Sequence, residues 1–474
     1  MLLALYRKRS YKATERAARR WSAGLCYNFA ETQQITLYQQ HERGTRLKRA
    51  ALLLGTLVPL LLIASCSSNN SVTGPNGNAT VNAPSKLQNR AFITNQYSGA
   101  LQIMDSQNDT TSYYTVTNNN TGVTGPGVTG TAVSIAVSSS LTFAVLSPDG
   151  TETFVYDPTS FTFTFVTNST EVTNGTVSMP ANATMAVFSP DSTTIYVPVP
   201  NATVTVPNTT TNTVPGGIEV VTAPTSTIAG GITNMYLVPS ARSAAITPDG
   251  KTLLVFASNA DTMWLIDLTA TAPIAVAIAG FARPVNAFFS SDSSTAYVLN
   301  CGTECGSMTG SPSVMSFNVA SRSITSTVPV GGASVGLLKG TTLYVAGYPG
   351  GNTGTFDVVD VSAMKRTTTN PVAIGDGTHT TMALSNNNKL YIGAATCINA
   401  TSGCLSIVDL GTTQAAAPGP PLGPVTGMQS IPNRNTMYVI QGGALNIYDT
   451  TTGQLQATQL SFRGALYGVI QIDP

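Results

Sequence analysis

Histidine is nearly missing from this chain. Of 474 residues only His41 and His379 are histidine, and tryptophan is as rare, at Trp21 and Trp264. A metal centre or a haem held by several imidazoles therefore lacks its ligands, and no metal or cofactor is expected. Charge is sparse too, at 9% Asp, Glu, Lys and Arg, and it is unevenly placed. Eleven of the 23 basic residues precede Ala50, which leaves 12 basic against 19 acidic groups beyond Arg49. A body that is acidic on balance has no electrostatic footprint for a phosphate backbone, so nucleic acid is not an expected partner. The body also shows no sustained 3.6-residue periodicity, which excludes a helical bundle.

What the first 87 residues do contain is a set of export signals. Arg46, Lys48 and Arg49 precede the apolar run Ala50–Ile63, too short for a comfortable membrane span and suited to a signal-peptide core. The run ends Leu62-Ile63-Ala64-Ser65-Cys66, which resembles the bacterial lipobox. Cleavage before Cys66 would leave an acylated N-terminal cysteine, and more than one acyl chain holds a protein stably at a membrane. The chain is thus expected to comprise a basic leader and signal peptide (1–65), a lipidated Cys66 with a Ser/Asn/Gly/Pro-rich linker (66–87), and a folded body (88–474). The expected location is the bacterial periplasm or cell surface, membrane-anchored. Four further cysteines form two close pairs, Cys301/Cys305 and Cys397/Cys404. Without a nearby histidine their spacing is weak for zinc, and after export both pairs are expected to be loop-closing disulfides.

From about residue 90 one hairpin recurs. Its clearest copy is Thr342–Asp360, a Leu343-Tyr344-Val345 strand, a Gly/Pro turn and a strand ending Val358-Val359-Asp360. Aligned triplets are Ala91-Phe92-Ile93, Phe143-Ala144-Val145, Ile195-Tyr196-Val197, Leu253-Leu254-Val255, Ala296-Tyr297-Val298, Leu343-Tyr344-Val345, Leu390-Tyr391-Ile392 and Met437-Tyr438-Val439. Several are preceded by a strand ending in a Ser-Pro-Asp-Gly type of turn, in which Pro presets φ and Gly accepts positive φ. Copies this close together, each with room for about four strands, predict an all-β fold, an eight-bladed β-propeller of four-stranded antiparallel blades. Seven blades would follow if Ala183–Ile232 were an insertion. The first copy lacks an inner strand, and the C-terminal Leu466–Gln471 matches one, so the tail is expected to pair beside Phe92 and clasp the ring.

The Tyr-Val strand, the Ser-Pro-Asp-Gly turn and the apolar pair closing in Asp resemble the YVTN-type β-propeller repeat of bacterial surface and periplasmic proteins. The resemblance covers roughly residues 88–474. The same superfamily holds lactonase-like propellers and the haem d1 domain of nitrite reductase. It implies the fold; it carries no catalytic motif onto this chain. Trp264 alone in the body also departs from the Trp-rich repeats of eight-bladed quinoprotein dehydrogenases.

Candidate site residues are therefore few. The aspartates that end the partner strands (Asp105, Asp157, Asp267, Asp360, Asp409, Asp449) recur too regularly for a calcium site and read as caps of the following turns. Arg242, Arg283 and Arg463 lie in the loops entering three inner strands, and His379 in a fourth. In a propeller those loops share one face around the channel. A positive ring there could orient a carboxylate or phosphate, unless each arginine pairs locally with a residue such as Asp261. Tyr348, in the turn of the clearest hairpin, joins the candidates. The leading expectation is a binding or scaffold protein that presents one loop-rich face to a protein, a glycan or a small anionic ligand. The alternative is a lactonase-like hydrolase at the channel mouth, which would need a carboxylate within hydrogen-bond reach of His379.

Overall fold

Strand Thr252–Ala257 shows how the body is built. Leu253 and Val255 pack toward the preceding sheet, while Leu254 and Phe256 pack toward the following one. Alternate side chains point to opposite faces of a strand, and here both faces are covered, so the strand reads as an unbroken apolar run. The same holds around the molecule. Eight buried clusters fill the eight spaces between neighbouring sheets.

A computed structural model describes residue 85 and residues 87–473, apart from segments 98, 112–114, 118–123, 127–133, 206–212, 225–229, 309, 350–352, 397–403, 413, 417–421 and 460–464. These residues form an eight-bladed β-propeller of four-stranded antiparallel blades. Blade 4 is typical, running Ala241–Ile246, Thr252–Ala257, Thr262–Asp267 and Ala275–Ala279 from the axis outward. Blades 5, 6, 7 and 8 begin at Pro284, Val335, Thr378 and Val425. The outer strand is split in blade 6, between Lys365–Arg366 and Val372–Ile374.

The ring closes as the sequence predicts. Leu466–Gln471 is the inner strand of blade 1 and pairs antiparallel with Arg90–Asn95, Phe92 facing Ile470 and Ile93 facing Val469. Thr94 sits in a bulge of this ladder. Its hydroxyl accepts the Gly468 amide at 2.7 Å and donates to the Thr142 carbonyl of the segment entering blade 2. Arg90 reinforces the clasp, its Nε and Nη2 each 2.8 Å from the Asp473 carboxylate and its Nη1 3.0 Å from Glu171 of blade 2. On the other side of blade 1, Arg434 forks onto Asp109 with two 2.6 Å bonds, and Tyr438 donates to the same carboxylate.

Two sequence expectations need correction. Ala183–Ile232 belongs to a complete blade with strands Val187–Phe188, Thr194–Thr205, Thr213–Thr222 and Gly231–Leu237, so the seven-bladed alternative falls. What made it look irregular is a central hairpin longer than its neighbours. In blade 2 the triplet Phe143-Ala144-Val145 marks the inner strand, Ala144–Leu146, where the repeat alignment expected the second. The second and third strands are Glu152–Asp157 and Thr162–Thr167. The turn Ser147-Pro148-Asp149-Gly150 explains the phase, because this turn follows the inner strand. Ser147 Oγ donates to Asp149 Oδ1 at 2.6 Å, the same oxygen accepts the Thr151 amide at 3.1 Å, and Gly150 takes φ +73°.

The partner-strand aspartates act as turn caps. Asp267 accepts from the amide and hydroxyl of Thr269, Asp360 from those of Ser362, and Asp449 from the Thr451 amide. These bonds supply the backbone donors that a tight turn leaves unpaired.

Candidate functional site

The inner strands are irregular at their entry to the sheet, and that irregularity builds the site. Ala241 pairs with Ala257 and Ser243 with Phe256, which leaves Arg242 as the extra residue of a bulge. Val285 in blade 5, His379 and Thr380 in blade 7, and Thr426 in blade 8 sit at the same register shift. A bulge breaks the strict alternation and re-aims a side chain. Hydroxyls stitch each bulge to the preceding blade. Thr184 donates to the Arg242 carbonyl at 2.5 Å, Ser243 to that of Val285 at 2.6 Å, and Ser334 to that of His379 at 3.2 Å.

Around this arc the strand ends of blades 3 to 7 enclose a cavity of about 360 Å³. Arg242, Arg283, Tyr348 and His379 all line it. Four residues named from loop position alone therefore converge on one site. Arg463 and Cys397 lie outside the described residues, as does Cys66.

The four differ in how far they are engaged. Arg283 takes φ +51° just before Pro284. Its amide donates to Asp261 Oδ1 at 3.0 Å, its Nε lies 3.5 Å from the same oxygen, and its Nη2 donates to the Gly306 carbonyl at 3.2 Å. The local pairing considered from sequence thus applies to Arg283. Arg242 differs. It is exposed, and its guanidinium forms no hydrogen bond or ion pair among the described residues. Tyr348 is half-buried, its amide donating to Glu304.

His379 is 2% exposed. Burial pushes its pKa down to about 4, against the upward pull of its bond to the Gly375 backbone and of nearby Asp376. It is accordingly neutral near pH 7. Its Nδ1 has no partner, and the ring's hydrogen bond goes to a backbone group. The imidazole–carboxylate pair that the hydrolase alternative requires is not formed by His379 among the described residues.

One residue of the site was missed from sequence. Glu304 lies on the single 3-10 turn Gly302–Cys305, which the Cys301–Cys305 disulfide closes with its Cα atoms 5.5 Å apart. Its carboxylate accepts the Tyr348 amide at 2.7 Å and the Ala333 amide at 3.2 Å, joining blade 5 to blade 6. Burial raises its pKa, and the amides of Tyr348 and Ala333 and the Ser334 hydroxyl partly offset that. Gly347 permits the approach, since a Cβ there would stand 2.3 Å from Glu304 Oε2. The available sequence signal was position: Glu304 is the glutamate inside the C-x₃-C loop. Cys404 is also disulfide-bonded.

No family model matches the chain, and no curated protein matches it. Among solved structures it is similar to dihydro-heme d1 dehydrogenase NirN in complex with DHE, with TM-score 0.56 and 12% identity over 82% of this chain and 76% of that one. A functionally unknown protein from Desulfotomaculum acetoxidans gives TM-score 0.49 and 12% identity over 81% of this chain and 99% of that one. Hydrazine synthase of Kuenenia stuttgartiensis gives 0.47 and 16% over 71% and 99%. At 12% identity the first likeness shows the eight-bladed fold and no shared chemistry.

Proposed function

We propose that this chain is a lipid-anchored, extracytoplasmic propeller of the YVTN type that binds an anionic ligand, free or on a partner molecule, at the cavity of blades 3 to 7. The observation that carries this reading is the convergence of Arg242, Arg283, Tyr348 and His379 on one concave site. Pockets of roughly 300–1,000 Å³ with a few convergent polar groups are the usual form of a small-molecule site. An uncommitted guanidinium at the rim supplies planar, charge-assisted donors suited to a carboxylate or phosphate. Arg283, already held by Asp261 and Gly306, adds positive charge beside it.

Titration calorimetry with cyclohexanecarboxylate tests the charge requirement. Arg242→Ala is expected to weaken binding by roughly tenfold or more, the scale of one charge-assisted bond, with unfolding temperature unchanged. Equal affinity in the two proteins would refute the reading.

The anchor is a separate part of the proposal. Cys66 would carry the acyl chains and residues 67–87 the tether. Mass spectrometry of protein from a bacterial membrane fraction is expected to find Cys66 as the N-terminal residue, diacylglyceryl-modified and N-acylated. A mature N-terminus anywhere else would remove the anchor.

A further inference from the structure

We infer that the cavity takes a hydroxylated ring acid, the chemical class of the uronic acids. The inference deepens the anion-binding reading above and rests on it. Three kinds of lining group stand together. The first is the Arg242 guanidinium, at the rim in its bulge. The second is a pair of polar side chains at the end of the adjacent strand, Ser258 and Asn259. Both line the cavity, and neither side chain forms a hydrogen bond among the described residues. They stand beside Arg242 because Ala257 pairs with Ala241 and the Ser258 amide donates to the Ser240 carbonyl at 2.9 Å. The third is apolar, formed by Met185, Phe256 and Val285.

Each simpler ligand leaves one kind unused. An inorganic anion satisfies Arg242 but leaves the apolar wall wet and the cavity largely unfilled. A fatty acid covers the apolar wall while stripping water from Ser258 and Asn259 without replacing their bonds, which is unfavourable. An uncharged sugar matches hydroxyl, amide and apolar groups and leaves the guanidinium unanswered. A pyranose bearing a carboxylate offers a C–H face, a hydroxyl edge and one anionic group, and so answers all three. Tyr348, an aromatic with a polar tip, suits such a ring as well.

The test is titration calorimetry of the full-length protein in detergent with D-glucuronate, D-glucose, cyclohexanecarboxylate and inorganic phosphate. Glucuronate is expected to bind roughly tenfold or more tighter than each of the others. Arg242→Ala should reduce glucuronate to the level of glucose. Asn259→Gly, chosen because residue 259 takes φ +59°, should cut the preference for glucuronate over cyclohexanecarboxylate by roughly fivefold. Unchanged unfolding temperatures show that both variants fold. Cyclohexanecarboxylate or phosphate binding as tightly as glucuronate overturns this inference while the anion site stands. Glucose binding as tightly, or no dependence on Arg242, overturns both.

Discussion

Removing residues 465–474 is expected to destroy the cooperative unfolding transition. Leu466 and Ile472 are almost fully buried, one in the core between blades 8 and 1 and the other in that between blades 1 and 2. Burying each such side chain contributes roughly 1.5–3 kcal/mol. Val469 and Ile470 pack against the same two cores. Loss of Asp473 also leaves the Arg90 guanidinium without its bidentate partner in a site where its side chain is 11% exposed. A buried charge left half-paired costs about 3 kcal/mol or more. The sum reaches the whole stability of an ordinary domain, about 5–15 kcal/mol. Circular dichroism on heating should show a broad, low-temperature loss of β signal in the truncated protein. An unshifted, equally sharp transition would mean that the clasp is dispensable.

Acid should weaken the fold through His379, by about 3 kcal/mol between pH 7 and pH 4. The unfolded chain takes up a proton near the ordinary value of 6.5, whereas the native imidazole resists until about 4. A depressed native pKa stabilises fully above the unfolded value and loses that contribution as pH falls through the native one. Glu304 acts in the opposite sense. Its raised pKa favours the native state at low pH, and that contribution fades as pH rises through the native value. Comparing the wild type with His379→Phe isolates the histidine, since Glu304 is common to both. Urea unfolding at several pH values should give a steep loss below pH 6.5 in the wild type and a much shallower one in the variant. Parallel curves would show that His379 is not the titrating group.

The parts of the molecule that were legible in the sequence are those governed by local, repeated chemistry. The Tyr-Val strands, the Ser-Pro-Asp-Gly turns and the capping aspartates recur because every blade needs them. The tail strand Leu466–Gln471 could be placed because the first copy lacked its counterpart. Blade 2 was read one strand out of phase because Phe143-Ala144-Val145 resembles the second-strand triplets, and only the turn after it fixes its place. Arg242, Arg283 and His379 could be grouped because loops of one kind share one face. Glu304 gave no such signal, since its partners are the amides of Ala333 and Tyr348, and an amide looks alike in every residue. The different engagement of Arg242 and Arg283 was equally hidden, because it turns on the placement of Asp261 and Gly306 in space.

The seam in blade 1 also sets a timetable. Thr94 and Gly468 are bonded across 374 residues of sequence, and Arg90 and Asp473 across 383. A ribosome or a secretion pore delivers Arg90–Asn95 early and its partner strand last, so the opening blade must wait, unfinished, while seven others emerge. Long waiting with an unpaired strand edge invites mispairing. A chain of this design gains from being held extended until its final residues are free, and then closing in a single late event.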